Sequence, residues 1–241
     1  ALRPVDEMAS AARRIDAGAL ARRITVRGTG DELDRLAETL HGMLARLDCE
    51  IVDLGVVRDE PAALEAAFRQ ASEADAIVTS GGVSVGEADF IRGLMAKLGE
   101  VAFWKIAMRP GRPMAFGRIG SDADAAWLFG LPGNPVAVMV TFYAFVRDAL
   151  LKLSGVAPVA PLPRFRVPCV TPLKKRPGRS EFQRGILFHE NGEWKVRATA
   201  SQGSGVLRSM SEANCLIVVE PERGNVEPGE AVDVQPFEGL V

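Results

Sequence analysis

Apolar positions along the chain keep two different rhythms. From Ile24 to Gly155, short runs of β-branched and apolar residues alternate with longer stretches whose apolar residues recur every three or four positions. The first rhythm predicts strands and the second amphipathic helices. Strands are expected at Ile24–Val26, Glu50–Val57, Ala76–Thr79, Val101–Lys105, Met114–Phe116 and Ala126–Phe129. Between them fall helices from the Arg27–Leu33 turn to Leu47, from Ala62 to Ala74, and from Glu87 to Leu98. A strongly apolar helix follows Pro135, runs to Leu153 and meets a capping glycine, Gly155. It is too apolar for a surface helix, so a place in the core or at a subunit contact is expected. Strand–helix alternation of this kind predicts a three-layer α/β/α domain with a mostly parallel sheet over 26–156. Residues 1–25 read as a remnant N-terminal helix and linker.

The rhythm changes after the proline-rich stretch 157–163, a semi-rigid linker. Beyond it come short alternating segments at Arg164–Val170, Glu181–His189, Trp194–Ala198, Cys215–Val219 and Ala231–Pro236. The turn Glu190-Asn191-Gly192-Glu193 joins two of them. Residues 164–241 are therefore expected to form a small all-β, barrel-like domain.

Candidate chemistry sits where strands end. Ala76–Thr79 breaks into Ser80-Gly81-Gly82-Val83-Ser84-Val85-Gly86, followed by a helix start carrying Glu87 and Asp89. Glycines let a ligand approach bare backbone, and successive amides before a helix form an anion-binding concavity. The loop matches neither the P-loop nor the dinucleotide fingerprint, so the anion is not specified. Glu87 and Asp89 suit a helix N-terminus as ordinary first-turn acids, or place a carboxylate for a metal or proton. Asp59, before Pro61, has the same two readings. Lys105 interrupts an apolar run and either pairs with an acid or aims its charge into the site. Arg109-Pro110-Gly111-Arg112-Pro113 and Leu131-Pro132-Gly133-Asn134-Pro135 also leave strands. If those strands are neighbours, the loops 80–86, 109–113 and 130–135 share one sheet edge and build one pocket. In the β region, Lys174–Arg179 and Ser201–Gly205 face either an anionic ligand or solvent.

Composition narrows the classes. A formal net charge of −2 supplies no basic footprint for nucleic acid. Cys49, Cys169 and Cys215 show neither metal-site nor disulfide-framework spacing, and the reading is a reducing cytoplasm. Only two histidines are present, which weakens any histidine-based mechanism. No signal peptide and no membrane-spanning run is read, so no membrane partner is expected.

With these motifs in view, the chain resembles the molybdopterin molybdenumtransferase family, called MoeA in bacteria and represented by the gephyrin E domain in animals. The resemblance rests on Thr79–Asp89, Phe103–Pro113 and Leu131–Pro135, and continues through Pro177-Gly178-Arg179, Phe182–Gly185 and Gln202-Gly203-Ser204. It implies insertion of molybdenum from molybdate into molybdopterin, presented as adenylyl-molybdopterin that is hydrolysed with a divalent metal, Mg²⁺. It further implies catalytic roles for Asp59, Asp89 and Lys105, with both acids on the metal. Ser80, Gly81, Gly82, Ser84, Gly86, Arg109, Gly111, Pro132, Gly133, Asn134 and Pro135 are implied as substrate-binding. Arg184 and Ser204 fall on positions resembling pterin-phosphate contacts. Arg109 stands where the family commonly has lysine, keeping charge but changing geometry. A homodimer is implied, and the molybdopterin adenylyltransferase as a partner.

The sequence departs from the family in lacking most of the domains ahead of and around the α/β unit. Thr29–Leu33 matches a family turn but runs directly into Asp34-Arg35-Leu36. Two other readings stay open: an adenylyltransferase-like enzyme, against which residues 164–241 argue, and a non-catalytic gephyrin-like scaffold.

Overall fold

The structure is a computed structural model that describes residues 32–81, 88–120, 125–200, 202, 210, 212 to 237. The expected elements of residues 1–25, the strand Ile24–Val26 and the turn Arg27–Asp31 lie outside the described residues.

Helices α1 (Glu32–Ala45) and α2 (Pro61–Ala71) come first. Strand β1 (Ala76–Ser80), helix α3 (Ala88–Leu98) and strands β2 (Gly99–Lys105), β3 (Met108–Arg109), β4 (Pro113–Ile119) and β5 (Ala126–Leu131) follow. A long helical stretch then runs as α4 (Pro135–Thr141), a π-helical turn (Phe142–Val146) and α5 (Arg147–Leu153). The four-stranded sheet has the order β1-β5-β4-β2.

Helices cover both faces of this sheet. On one side Leu36 and Met43 of α1, with Val138, Phe142 and Val146, pack on Met114, Phe129 and Leu131. On the other, Phe68 of α2 with Leu94 and Met95 of α3 pack on Ile77, Ile119 and Leu128. Each large side chain buried this fully contributes roughly 1.5–3 kcal/mol. The three layers are thus present, but the sheet is not mostly parallel. Only β1–β5 is a parallel pair; β5–β4 and β4–β2 are antiparallel. Residues 106–112 and 120–125 are too short a connection for a crossover, which takes about a dozen residues or more. The chain therefore doubles back at both places.

The expected strand Glu50–Val57 is irregular, with Val52 and Val56 exposed. Asp53 explains it. Its carboxylate accepts from the Gly55 amide at 2.6 Å and pairs with His41 at 3.2 Å, and Gly55 takes φ +69°. Such local side-chain turns compete with ladder formation.

The C-terminal half forms β6 (Phe165–Pro168), β7 (Ser180–Glu190), β8 (Glu193–Ala198), β9 (Cys215–Val219) and β10 (Ala231–Pro236). The order is β3-β7-β9-β10-β6, with β8 on β7. A bridge between Cys169, just past β6, and Val196 of β8 brings the ends of this sheet together, which gives the barrel-like form. Val167, Cys215, Ile217, Val219, Val232 and Val234 fill its interior. At the β7–β8 turn Asn191 and Gly192 both have positive φ, as the tight hairpin requires.

Strand β3 belongs to this second sheet. It pairs in parallel with β7, Met108 beside Ser180 and Arg109 beside Glu181. The loop leaving β2 is thereby stitched to the β domain.

Candidate functional site

The ends of four strands define one rim. Ser80 closes β1 beside Leu131, which closes its parallel neighbour β5. Lys105 closes β2 opposite Pro113, which opens β4. Because Ala115 of β4 lies opposite Gly130 of β5, Pro113 sits at the same end of the sheet. Asp89 is the second residue of α3, which leaves β1 at this end and returns directly into β2 at the other.

Local chemistry locks the turns together. The Gly81 amide donates to Leu131 O at 3.1 Å, and the Ser80 hydroxyl donates to Pro132 O at 3.3 Å. A Cβ added at Gly133 would lie 3.6 Å from Gly81 Cα. Gly81 takes φ +94°, where side chains are strained. Asn134 caps α4, its Oδ1 accepting from the Ala137 amide at 3.2 Å, with Pro135 in the first turn. The 109–113 loop closes through the Ile106 amide donating to Arg112 O at 2.8 Å. Gly111, with φ +96°, seats against α4, and a Cβ there would run into Thr141 Cγ2. The polar side chains of Ser80 and Asn134 and the Gly81 amide are spent on structure, which leaves nearby cations to meet a ligand.

Lys105 is exposed and takes no ion pair among the described residues. Of its two readings, pairing with an acid finds no support among them. Arg109 is exposed and lies 3.7 Å from Glu181 Oε1. Arg184 of β7 is buried, at 2% exposure. Burial, and then the charge of Arg109, hold its guanidinium below the usual arginine value. Gln202 clamps the Arg184 main chain: its Oε1 accepts from the amide and its Nε2 donates to the carbonyl, each at 2.9 Å.

The remaining candidates are less closely placed. Asp59 is exposed on the connection into α2 and takes no ion pair among the described residues. Helix α2 packs on Ile77 of β1 and ends just before that strand begins. Gly82, Ser84, Gly86 and Ser204 lie outside the described residues, as does the Asp89 side chain. No group of three or more His, Cys, Asp or Glu side chains gathers among the described residues.

A cleft of about 500 Å³ lies beside the rim, lined by Ile106–Met108, Tyr143, Phe145, Leu162 and Phe182 among others. None of the candidate residues lines it, and its walls are mostly apolar. The rim, with its cations, is the better match to an anion.

Sequence reasoning missed Glu181, a buried carboxylate read only as the start of a strand. It lies 3.5 Å from Arg179 and 3.7 Å from Arg109, and its Oε2 accepts from Gln183 Nε2 at 3.2 Å. Alternation gave no signal for it, because Phe182, Ile186 and Phe188 carry the apolar phase and Glu181 falls in the other with Gln183 and Gly185. The basic loop Lys174–Arg179 is also more structural than expected. Lys175 is buried and donates to the carbonyls of Pro221 and Arg223.

Residues 16–152 match the family model described as a probable molybdopterin binding domain, and residues 166–237 match the MoeA C-terminal region, domain IV. The chain is 42% identical over 234 residues to the molybdopterin molybdenumtransferase of Haemophilus influenzae, covering 91% of this chain and 57% of that protein. It is 33% identical over 192 residues to molybdopterin molybdenumtransferase 1 of Mycobacterium tuberculosis, covering 77% and 44% respectively. Among solved structures, a molybdopterin biosynthesis MoeA protein from Pyrococcus horikosii aligns with TM-score 0.67 and 26% identity, over 84% of this chain and 47% of that one. The chain spans about half the length of the relatives it matches.

Proposed function

The chain belongs to the molybdopterin-binding-domain family and continues into a MoeA C-terminal region, and from that premise we propose that it acts in molybdenum cofactor biosynthesis. In this reading it holds molybdopterin while molybdenum from molybdate enters the dithiolene. The observation that carries it is the meeting, at one sheet end, of the Gly81 and Pro132–Asn134 turns with the exposed cation Lys105 and the Arg109 loop, which β3 ties to β7.

Each group has a physical task. Amides of the 80–86 and 131–135 turns cradle a phosphate-bearing ligand, and Gly111 lets its own loop sit close against α4. Lys105 and Arg109 retain the oxyanion. Arg184 carries charge from the β domain toward the pterin phosphate, at a site where low dielectric strengthens the attraction. Asp59 and Asp89 would hold Mg²⁺. The fit rests on donor chemistry: carboxylates suit a hard ion, and no described cation already occupies Asp59. Bound there, the ion offsets phosphate charge. We take 26–156 as the molybdopterin-binding unit and 164–241 as a second unit joined by 157–163. A homodimer, and transfer of substrate from the adenylyltransferase, belong to the same reading. No described helix is long and apolar enough to cross a membrane.

The match of residues 166–237 to the MoeA C-terminal region argues against the adenylyltransferase-like reading. Titration with molybdopterin and its adenylylated form, paired with a molybdate-dependent reconstitution of a cofactor-free molybdoenzyme, tests the rest. Binding of both pterins and molybdate-dependent reconstitution are expected. Absence of pterin binding overturns the reading, and binding without insertion favours a scaffold.

A further inference from the structure

The seam between the two sheets holds a carboxylate that packing alone does not explain. Glu181 is 3% exposed and lies opposite Val219 of β9, a strand of apolar residues. Its Oε1 finds no hydrogen bond among the described residues, although Arg109 and Arg179 stand 3.7 and 3.5 Å away. Its Oε2 is held by Gln183 Nε2 at 3.2 Å, which orients the group. The backbone register is the cause of the contact with Arg109, since β3 and β7 pair in parallel with Arg109 directly beside Glu181. Neighbours in that register present side chains to each other.

A buried charge is costly unless paired, and an apolar residue would serve stability as well or better. What the carboxylate supplies is placement. Arg109 comes from the rim of the α/β domain, while Arg179 comes from the β domain. Like charges brought this close repel, and one carboxylate between them offsets the repulsion. The loose spacing leaves N–H groups of both guanidiniums available to a ligand.

We propose that Glu181 is a positioning residue: it holds the Arg109 and Arg179 guanidiniums at the seam, so that rim and β domain grip one phosphate-type or oxyanionic ligand together. This deepens the functional reading above and rests on it for the identity of the site.

The test pairs a ligand-free readout with a binding one. Side-chain Nε NMR order parameters of Arg109 and Arg179 are measured in wild type, Glu181→Gln and Glu181→Asp. Inorganic phosphate and molybdate are titrated against the same proteins and against Arg109→Ala and its double variant with Glu181→Gln. Glu181→Gln is expected to loosen both arginines and weaken phosphate binding roughly fivefold. Glu181→Asp, which keeps the charge, is expected to stay closer to wild type in both readouts. The double variant is expected to lose less relative to Arg109→Ala than Glu181→Gln loses relative to wild type, because only the hold on Arg179 is left to remove. Unchanged arginine order in Glu181→Gln, an equal loss on the Arg109→Ala background, or a wild type that binds neither anion overturns the proposal. Should Glu181→Gln fail to fold, Arg179→Ala decides: Arg109 order is expected to rise as it becomes the remaining partner, and no change overturns the idea. Failure of the molybdopterin reading shows separately, as wild-type protein that binds phosphate but no pterin.

Discussion

Lys105 illustrates what a single residue can settle. A lysine ending an apolar strand has a structural use when an acid waits beside it, and among the described residues none does. Lys105→Ala is therefore expected to leave stability within about 0.5 kcal/mol of wild type. Molybdate affinity should fall by several-fold and lose part of its salt dependence, which calorimetric titration at two ionic strengths measures. A stability loss larger than the binding loss would return the lysine to a structural role. Cys215 is the opposite case, a residue legible only as an unpaired cysteine. Burial pushes its thiol up to about 12, against an ordinary value near 9, and burial raises the Tyr143 hydroxyl as well. Between those limits the unfolded chain gives up a proton that the folded chain keeps, so stability falls as pH rises from about 9 toward 12. Urea midpoints at pH 8 and pH 10.5 should show the drop, and Cys215→Ala should flatten it. An unchanged slope in that variant would assign the effect elsewhere.

At the scale of elements, the punctuation of the chain was readable and its direction was not. Gly81, Gly111, Pro132 and Asn134-Pro135 announced strand exits because each does something no other residue does there, and the structure puts those exits at one end of the sheet. The β segments of the C-terminal half were equally plain from their alternation. Parallel against antiparallel was missed because apolar runs such as Val101–Trp104 carry no sign of their partner's direction; connection length did, at 106–112. Glu50–Val57 was misread for a different reason. Its β-branched residues invite a strand, while Asp53 and Gly55 build a turn that periodicity does not register. Helix α4 gives an element-scale test. Asn134→Ala removes its cap and is expected to cost about 1 kcal/mol by urea denaturation, with Asn134→Asp recovering most of it. The same variant should weaken ligand binding, because the capped turn is itself part of the rim. Full stability in Asn134→Ala would mean that Pro135 and packing on Thr141 suffice.

For the whole molecule, the question is whether the two sheets behave as two bodies. The sequence argues for two, since a proline-rich stretch separates them and their rhythms differ. The structure gives them a shared interior. Met108 and Val140 from the α/β side pack with Leu216 of β9, flanked by Ile106, Ala144, Phe182 and Phe237. Leu162 of the linker and Phe237 also pack on the cluster beneath α1. The β3–β7 pairing runs through the same seam and carries Arg109 with it. Such contacts were out of reach of periodicity, which sees one element at a time. If the seam is part of both cores, damage on the β side should reach the rim. Leu216 is 2% exposed, and Leu216→Ala is expected to cost roughly 2–5 kcal/mol. Native-state hydrogen exchange locates that loss. Amides of β5 and of β9 should lose protection together, and anion affinity at the rim should fall with them. Loss confined to β9, with β5 and ligand binding untouched, would show two independently folding bodies. The β3–β7 pairing that carries Arg109 would then be too weakly held to serve a common ligand.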